Sequence, residues 1–240
     1  MSIIAIAIGI FLLIKGGDWL MRASVALSLN FSIPKIVIGM TVVSFATSAP
    51  ELIVSIQAAL SGHPDFALGN VVGSNIANIG LVLGLTAIIS PMSVPKSFHK
   101  TDWPMMILSS VLFYYLIVID NKLDSKEGAF MFILLIFFII YLIKFQEKTD
   151  LDENNDIQEV LSMKKTVSFL LLGGFSLWLG SETLIKGAVS LAESIGVSER
   201  IISVSIVSLG TSIPELTASI IAIMNKEKAI SIGLVPIYLT

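Results

Sequence analysis

Long apolar stretches separated by short polar ones run through the whole sequence. Residues 3–27, 34–60, 67–90, 103–119, 128–145, 166–190 and 200–224 are each about long enough, as helix, to cross a ~30 Å hydrocarbon core. An eighth stretch starts near Ala229 and stops at Thr240. The runs lack the strict alternation of barrel strands, so helices are predicted. Polar breaks fall at Ser61–Asp65, Asp120–Glu127 and residues 146–165, and Pro91 and Pro95 close the third span. Trp103, Tyr114 and Tyr115 suit the membrane interface. The Ile-, Leu- and Phe-rich span 128–145 is predicted to face lipid.

Composition sharpens this picture. Of 240 residues, 55% are hydrophobic and 14% charged, against roughly 25% charged in soluble domains. The absence of Cys excludes disulfides and thiolate metal sites, and two histidines cannot build a His-rich one. The N-terminus has neither a basic segment nor a small-residue cleavage site, so it reads as the first span. Counted by loop, ten Lys and Arg fall on one side of the membrane (Arg22, Lys35, Lys96, Lys100, Lys144, Lys148, Lys164, Lys165, Lys226, Lys228) and four on the other (Lys122, Lys126, Lys186, Arg200). That bias predicts an N-terminus outside and a cytoplasmic 146–165 linker in a cell (inner) membrane. The acidic linker has the composition of a solvated, flexible loop.

One polar word interrupts the apolar pattern twice: Thr47-Ser-Ala-Pro-Glu-Leu52 and Thr211-Ser-Ile-Pro-Glu-Leu216. Shifting the chain by 164 residues lays Gly16–Leu52 over Gly180–Leu216 without a gap, with 12 of 37 positions identical, Asp18 over Glu182 and Arg22 over Lys186. The repeat unit holds five spans. An odd number makes the second copy enter from the opposite face, the inverted plan of many secondary transporters. The fold predicted is an all-α polytopic transmembrane bundle of inverted five-helix repeats, the second incomplete. Its parts are a first repeat, 1–145, a linker, 146–165, and a second repeat, 166–240.

A carboxylate inside a membrane span costs at least ~2.5–3.5 kcal/mol on insertion scales, so Glu51 and Glu215 call for a partner. Ser44, Thr47, Ser48, Glu51 and Ser55 form one polar stripe, and Ser208, Thr211, Ser212, Glu215 and Ser219 repeat it. Pro50 and Pro214, read as helix-interior residues, leave the carbonyls of Ala46 and Gly210 without their usual donors. Hydroxyls, carbonyls and carboxylates together make an all-oxygen set suited to hard cations such as Na⁺ and Ca²⁺. Asn70, Ser74 and Asn78 add a polar face on the third span, and Gly69, Gly73, Gly80 and Gly84 there are predicted to allow close helix approach. Lys15 and Asp18 are expected to pair on the first span.

The stretch Gly39-Met-Thr-Val-Val-Ser-Phe-Ala-Thr-Ser-Ala-Pro-Glu-Leu52, followed by Gly69-Asn-Val-Val-Gly-Ser-Asn-Ile-Ala-Asn78, resembles the first α-repeat of the calcium/cation antiporter superfamily, in its prokaryotic sodium/calcium exchanger branch. Ser208-Leu-Gly-Thr-Ser-Ile-Pro-Glu-Leu216 resembles the second. The resemblance implies ten helices in two inverted halves with Na⁺ and Ca²⁺ bound at mid-membrane. It makes Glu51 and Glu215 the central acidic ligands, with Thr47, Ser48, Thr211 and Ser212 supplying hydroxyls or carbonyls. Ser74 and Asn78 complete the first half, and the carbonyls of Ser44 and Ser208 line outer sodium sites. Ala46 stands where the family has Gly; Gly210 keeps it in the second copy.

The function expected is a secondary antiporter exchanging Ca²⁺ for Na⁺ by alternating access, the two ions competing for the same carboxylates, with no prosthetic group and no covalent chemistry. The transported ions and the lipid bilayer are its expected partners; nothing points to nucleic acid. The same carboxylates would serve Ca²⁺/H⁺ exchange, a K⁺-dependent antiporter or a cation channel. After Gly233 the repeat pattern stops: Tyr238 falls where Ser74 has its counterpart, and the counterpart of Asn78 would lie at 242. That change of character is expected of a frameshifted or truncated second repeat, and of an inactive fragment if the last spans are needed.

Overall fold

The computed structural model describes residues 2–91, 98–120, 122–145, 161–197 and 210–234, and all its regular elements are helical. They are α1 (Ser2–Phe31), α2 (Lys35–Leu60), α3 (Pro64–Ile89), α4 (Trp103–Asp120), α5 (Ser125–Phe145), α6 (Met163–Ser194), α7 (Ile213–Met224) and α8 (Lys228–Leu234). Six of these, α1 to α6, are or belong to helices long and apolar enough to cross a membrane. The chain is a multi-pass membrane protein. The predicted start of the seventh span lies outside the described residues.

Local chemistry sets the helix ends. Pro34 precedes α2 and Pro64 opens α3, where a missing N–H costs nothing. Asp124 caps α5: its Oδ1 accepts from the Lys126 and Glu127 amides at 2.9 and 2.8 Å, while Glu127 Oε2 accepts from the Asp124 amide at 2.8 Å. The repeat is also written in the turns. Ser32 (φ 55°) and Gly196 (φ 83°) are one residue pair under the 164-residue shift, and Gly62 (φ 82°) and Lys226 (φ 60°) are another. Each left-handed turn thus occurs in both halves, once with glycine and once without.

The centre of the molecule is an antiparallel crossing of α1 and α6. A Cβ on Gly9 would sit 2.8 Å from the Gly180 carbonyl oxygen, and one on Gly16 2.9 Å from that of Gly173. Reciprocally, Cβ atoms on Gly173 and Gly180 would meet the Leu20 and Leu13 amides at 2.8 and 2.9 Å. Small residues every seven positions keep one face free of side chains, and the two backbones meet there. Leu13 and Leu177, equivalent under the shift and both buried, mark the midpoint. Antiparallel packing of equivalent helices is the inverted topology that the odd span count requires.

Three expectations are corrected. Gly69, Gly73, Gly80 and Gly84 of α3 have open space where a Cβ would stand, because none of the described helices packs on that face. The close approach belongs to α1 and α6 instead. The α5 helix is not wholly lipid-facing: Phe138 and Leu142, one turn apart, are buried with Ile36 and Met40 of α2 and Ala229 and Ile232 of α8. Asp18 bonds Arg22 at 3.1 Å, not Lys15. An acid one turn before its base has the favourable orientation, and Lys15 lies on an exposed part of α1.

Candidate cation site

The two polar words meet where α2 and α7 pack together, with α3 alongside. In α2, a π-helical turn at Gly39–Val43 precedes the word, and Pro50 lies inside the helix. A second π-helical turn in α3 starts at Asn78. Such turns widen the helix locally and recur at functional sites. The second copy is built differently. Thr211 and Ser212 form a turn and α7 starts at Ile213, so Pro214 occupies its first turn. That corrects the reading of Pro214 as a helix-interior residue: its missing N–H falls at a helix start. Glu215 consequently lies in the first turn of α7, where the helix dipole favours a negative charge.

Side chains bridge the halves. Ser48 Oγ donates to Glu215 Oε1 at 2.7 Å. Glu215 is 1% exposed, and Glu51 lines one cavity with Thr211 and Pro214 of the second word. Ser181 of α6 donates to the Gly210 carbonyl at 2.9 Å, so the hydroxyl takes up the acceptor that Pro214 cannot serve. Gly210 itself is required, since a Cβ there would lie 2.5 Å from Ile185 Cδ1. At the matching position Ala46 faces Gly174, and even a Cβ added to Gly174 would lie 3.6 Å from that of Ala46, an ordinary contact.

On α2, α3, α7 and the turn before α7, five buried oxygens have no hydrogen-bond partner among the described residues: Glu51 Oε2, Glu215 Oε2, Asn78 Oδ1, Ser212 Oγ and Ser219 Oγ. A buried polar atom without a partner costs roughly 1–3 kcal/mol, more when charged. Two of the five belong to glutamates of opposite halves, and unsatisfied oxygens of this kind are what a hard cation would satisfy. No group of three or more His, Cys, Asp or Glu stands together among the described residues.

The remaining predicted residues divide. Thr47 is buried and its hydroxyl donates to the Ser44 carbonyl at 3.1 Å; the Ser44 hydroxyl donates to the Gly39 carbonyl at 2.9 Å. Thr211 lines a cavity of about 100 Å³ together with Glu51, Pro50 and Asn70. Ser74 is half-buried and turns its hydroxyl back onto the Val71 carbonyl at 3.0 Å. Ser208 lies outside the described residues. Asn70 ties α3 to α2, donating to Ser55 Oγ at 3.0 Å and reaching the Glu51 carbonyl at 3.4 Å. The shift puts Leu234 at the position of Asn70 and Ser219 at that of Ser55, which explains why the Ser219 hydroxyl has no such donor. Ser181 and Glu182 were missing from the predicted site. The signal for Glu182 was its register with Asp18; for Ser181 there was none, because its counterpart is Gly17.

Inverted halves, interrupted helices and a shared all-oxygen site between them define a membrane transporter of the inverted-repeat class. The family described as sodium/calcium exchanger protein matches residues 1–144 and 165–235. The chain belongs to that family. It is 31% identical over 234 residues to the inner membrane protein YrbG of Escherichia coli, covering 94% of this chain and 72% of YrbG. It is 27% identical over 280 residues to the sodium/calcium exchanger MaX1 of Methanosarcina acetivorans, covering 97% and 77%. Among solved structures, the sodium/calcium exchanger from Methanococcus jannaschii superposes with a TM-score of 0.77 at 28% identity, over 98% of this chain and 75% of that one.

Proposed function

We propose that the protein exchanges Ca²⁺ for Na⁺ across the cell (inner) membrane by alternating access. Glu51 and Glu215 supply the charge that both ions need, and Ser48, Asn78, Ser212, Thr47 and Thr211 supply neutral oxygens around it. Ser74 and the carbonyls of Ser44 and Ser208 extend the set toward the sodium positions. The single observation carrying this reading is that Glu51 and Glu215, from opposite halves, each keep a buried oxygen without a hydrogen-bond partner among the described residues, while Ser48 bridges to Glu215. Because both ions require the same acids, they compete, and competition couples their movements. The family membership and the names of MaX1 and the M. jannaschii exchanger support cation exchange.

The N-terminus is assigned to the outside and the 146–165 linker to the cytoplasm on the loop charges. The test is radiolabelled Ca²⁺ uptake into proteoliposomes under an imposed Na⁺ gradient. Uptake is expected, and Glu51→Gln is expected to abolish it. Uptake driven instead by a pH gradient, or requiring K⁺, would reassign the coupling ion. Flux with no counter-ion would make the protein a channel.

A further inference from the structure

The 164-residue shift relates two acid–base pairs on the central helices. Asp18 bonds Arg22 at 3.1 Å on α1, and Glu182 bonds Lys186 at 2.9 Å on α6. Each acid stands five residues beyond the midpoint leucine of its helix, Leu13 or Leu177. The helices are antiparallel: Gly9 lies against Gly180 and Leu184, and Gly16 against Gly173 and Leu177. The two acids are therefore displaced in opposite directions, each by about 7.5 Å along the helix axis.

Each acid also lines its own cavity. Glu182 lines the cavity of about 100 Å³ that reaches Glu51. Asp18 and Arg22 line a larger one, about 300 Å³, with Asn225 and Glu227 in its wall and neither site glutamate. The acid side chains are 45% exposed for Glu182 and 32% for Asp18, so neither is sealed inside the protein. Exposed pairs of this kind are weak and easily exchanged for another cation.

We propose that Glu182 and Asp18 are access carboxylates of two opposed pathways, one for each membrane face. An arriving cation takes the place of the Lys186 ammonium or the Arg22 guanidinium and is held, still partly hydrated, beside the carboxylate. From Glu182 it passes through the shared cavity to Glu51. The basic partner keeps the carboxylate neutralised between ions and returns when the ion leaves. The assignment rests on the exchange reading above and adds two residues to it that are not ligands of the central site.

The chain has no cysteine, so Asp18→Cys and Glu182→Cys each introduce a single thiol. In proteoliposomes of uniform orientation, membrane-impermeant thiol reagents are applied to one face at a time. The two positions are expected to react from opposite faces. Glu182→Gln is expected to raise the half-saturating Ca²⁺ concentration about tenfold on the face from which its position is labelled, and Asp18→Asn on the other face. Attaching a negatively charged sulfonate reagent at Glu182→Cys should restore the lower value, and a trimethylammonium reagent should not. Labelling of both positions from one face would overturn the proposal, as would opposed labelling with Ca²⁺ half-saturation unchanged in both neutral variants. Opposed labelling in a protein that moves no Ca²⁺ against Na⁺ would support the two pathways and remove the exchange reading instead.

Discussion

Ser48 of the first half donates its hydroxyl to Glu215 of the second at 2.7 Å, and Glu215 Oε2 receives nothing from the protein among the described residues. The second-half acid is thus half satisfied by the first half and half open to an ion. Replacing Ser48 with Ala removes the donor while leaving the carboxylate buried. In cation-free detergent solution Ser48→Ala is expected to lose about 1.5–3 kcal/mol of stability, the range for a hydrogen bond to a charged group. Saturating Ca²⁺ should shrink the difference, because the ion then carries the charge. Ser48→Thr, which keeps the hydroxyl, should behave as wild type. Thermal unfolding with and without Ca²⁺ reads all three.

Glu51 differs from Glu215 in having no side-chain donor comparable to Ser48 among the described residues, so a bound ion is expected to be its main compensation. Ca²⁺ at 100 times its dissociation constant should stabilise the wild-type protein by about 2.7 kcal/mol through mass action. Glu51→Gln should lose that ligand-dependent increment while remaining folded, since an amide is cheaper to bury than a lone carboxylate. A Glu51→Gln protein whose unfolding temperature still rises with Ca²⁺ as in wild type would exclude Glu51 from the ion's coordination.

These residues were legible in the sequence because a carboxylate in a span is rare and the word around it occurs twice. Ser48, Glu51, Glu215 and the inverted plan followed from that. Features set by distant neighbours were not legible. Pro214 looks like Pro50 in its word, yet one falls in the first turn of α7 and the other inside α2, a difference decided by the turn at Thr211 and Ser212. The glycines of α3 match a close-packing spacing, while the crossing that uses such spacing is α1 with α6, where Gly9, Gly16, Gly173 and Gly180 are seven apart within each helix. Lys35 gives no hint in the sequence that its partner lies 192 residues away.

That partner is Glu227. The Lys35 ammonium sits 2.8 Å from one Glu227 oxygen and 3.1 Å from the other, with side chains 6% and 4% exposed. The pair joins the start of α2 to the turn between α7 and α8, so it fastens one half to the other. Removing one member leaves a buried charge uncompensated. Lys35→Met and Glu227→Gln are each expected to destabilise by about 3–5 kcal/mol. The double variant should be clearly less destabilised than the sum of the two, and a double-mutant cycle measured by denaturation in detergent gives the coupling. Additive losses would mean that the two groups act separately.

Gly173 and Gly69 test the packing of the two helix sets directly. A Cβ on Gly173 would stand 2.8 Å from the Leu20 amide nitrogen and 2.9 Å from the Gly16 carbonyl oxygen. Both are backbone atoms and cannot rotate away, so α1 and α6 must separate. Gly173→Ala is expected to cost about 1–3 kcal/mol, the usual penalty of overpacking. Because the crossing runs the length of both helices, the separation should also slow ion exchange. At Gly69 a Cβ would meet nothing within 4 Å, and the residue lies in the regular part of α3. Gly69→Ala should therefore stabilise the helix, by about 0.5–1 kcal/mol, through reduced chain entropy alone. Unfolding temperatures of the two variants should move in opposite directions. A Gly173→Ala protein as stable as wild type would mean that the backbones at the crossing are farther apart than the structure places them.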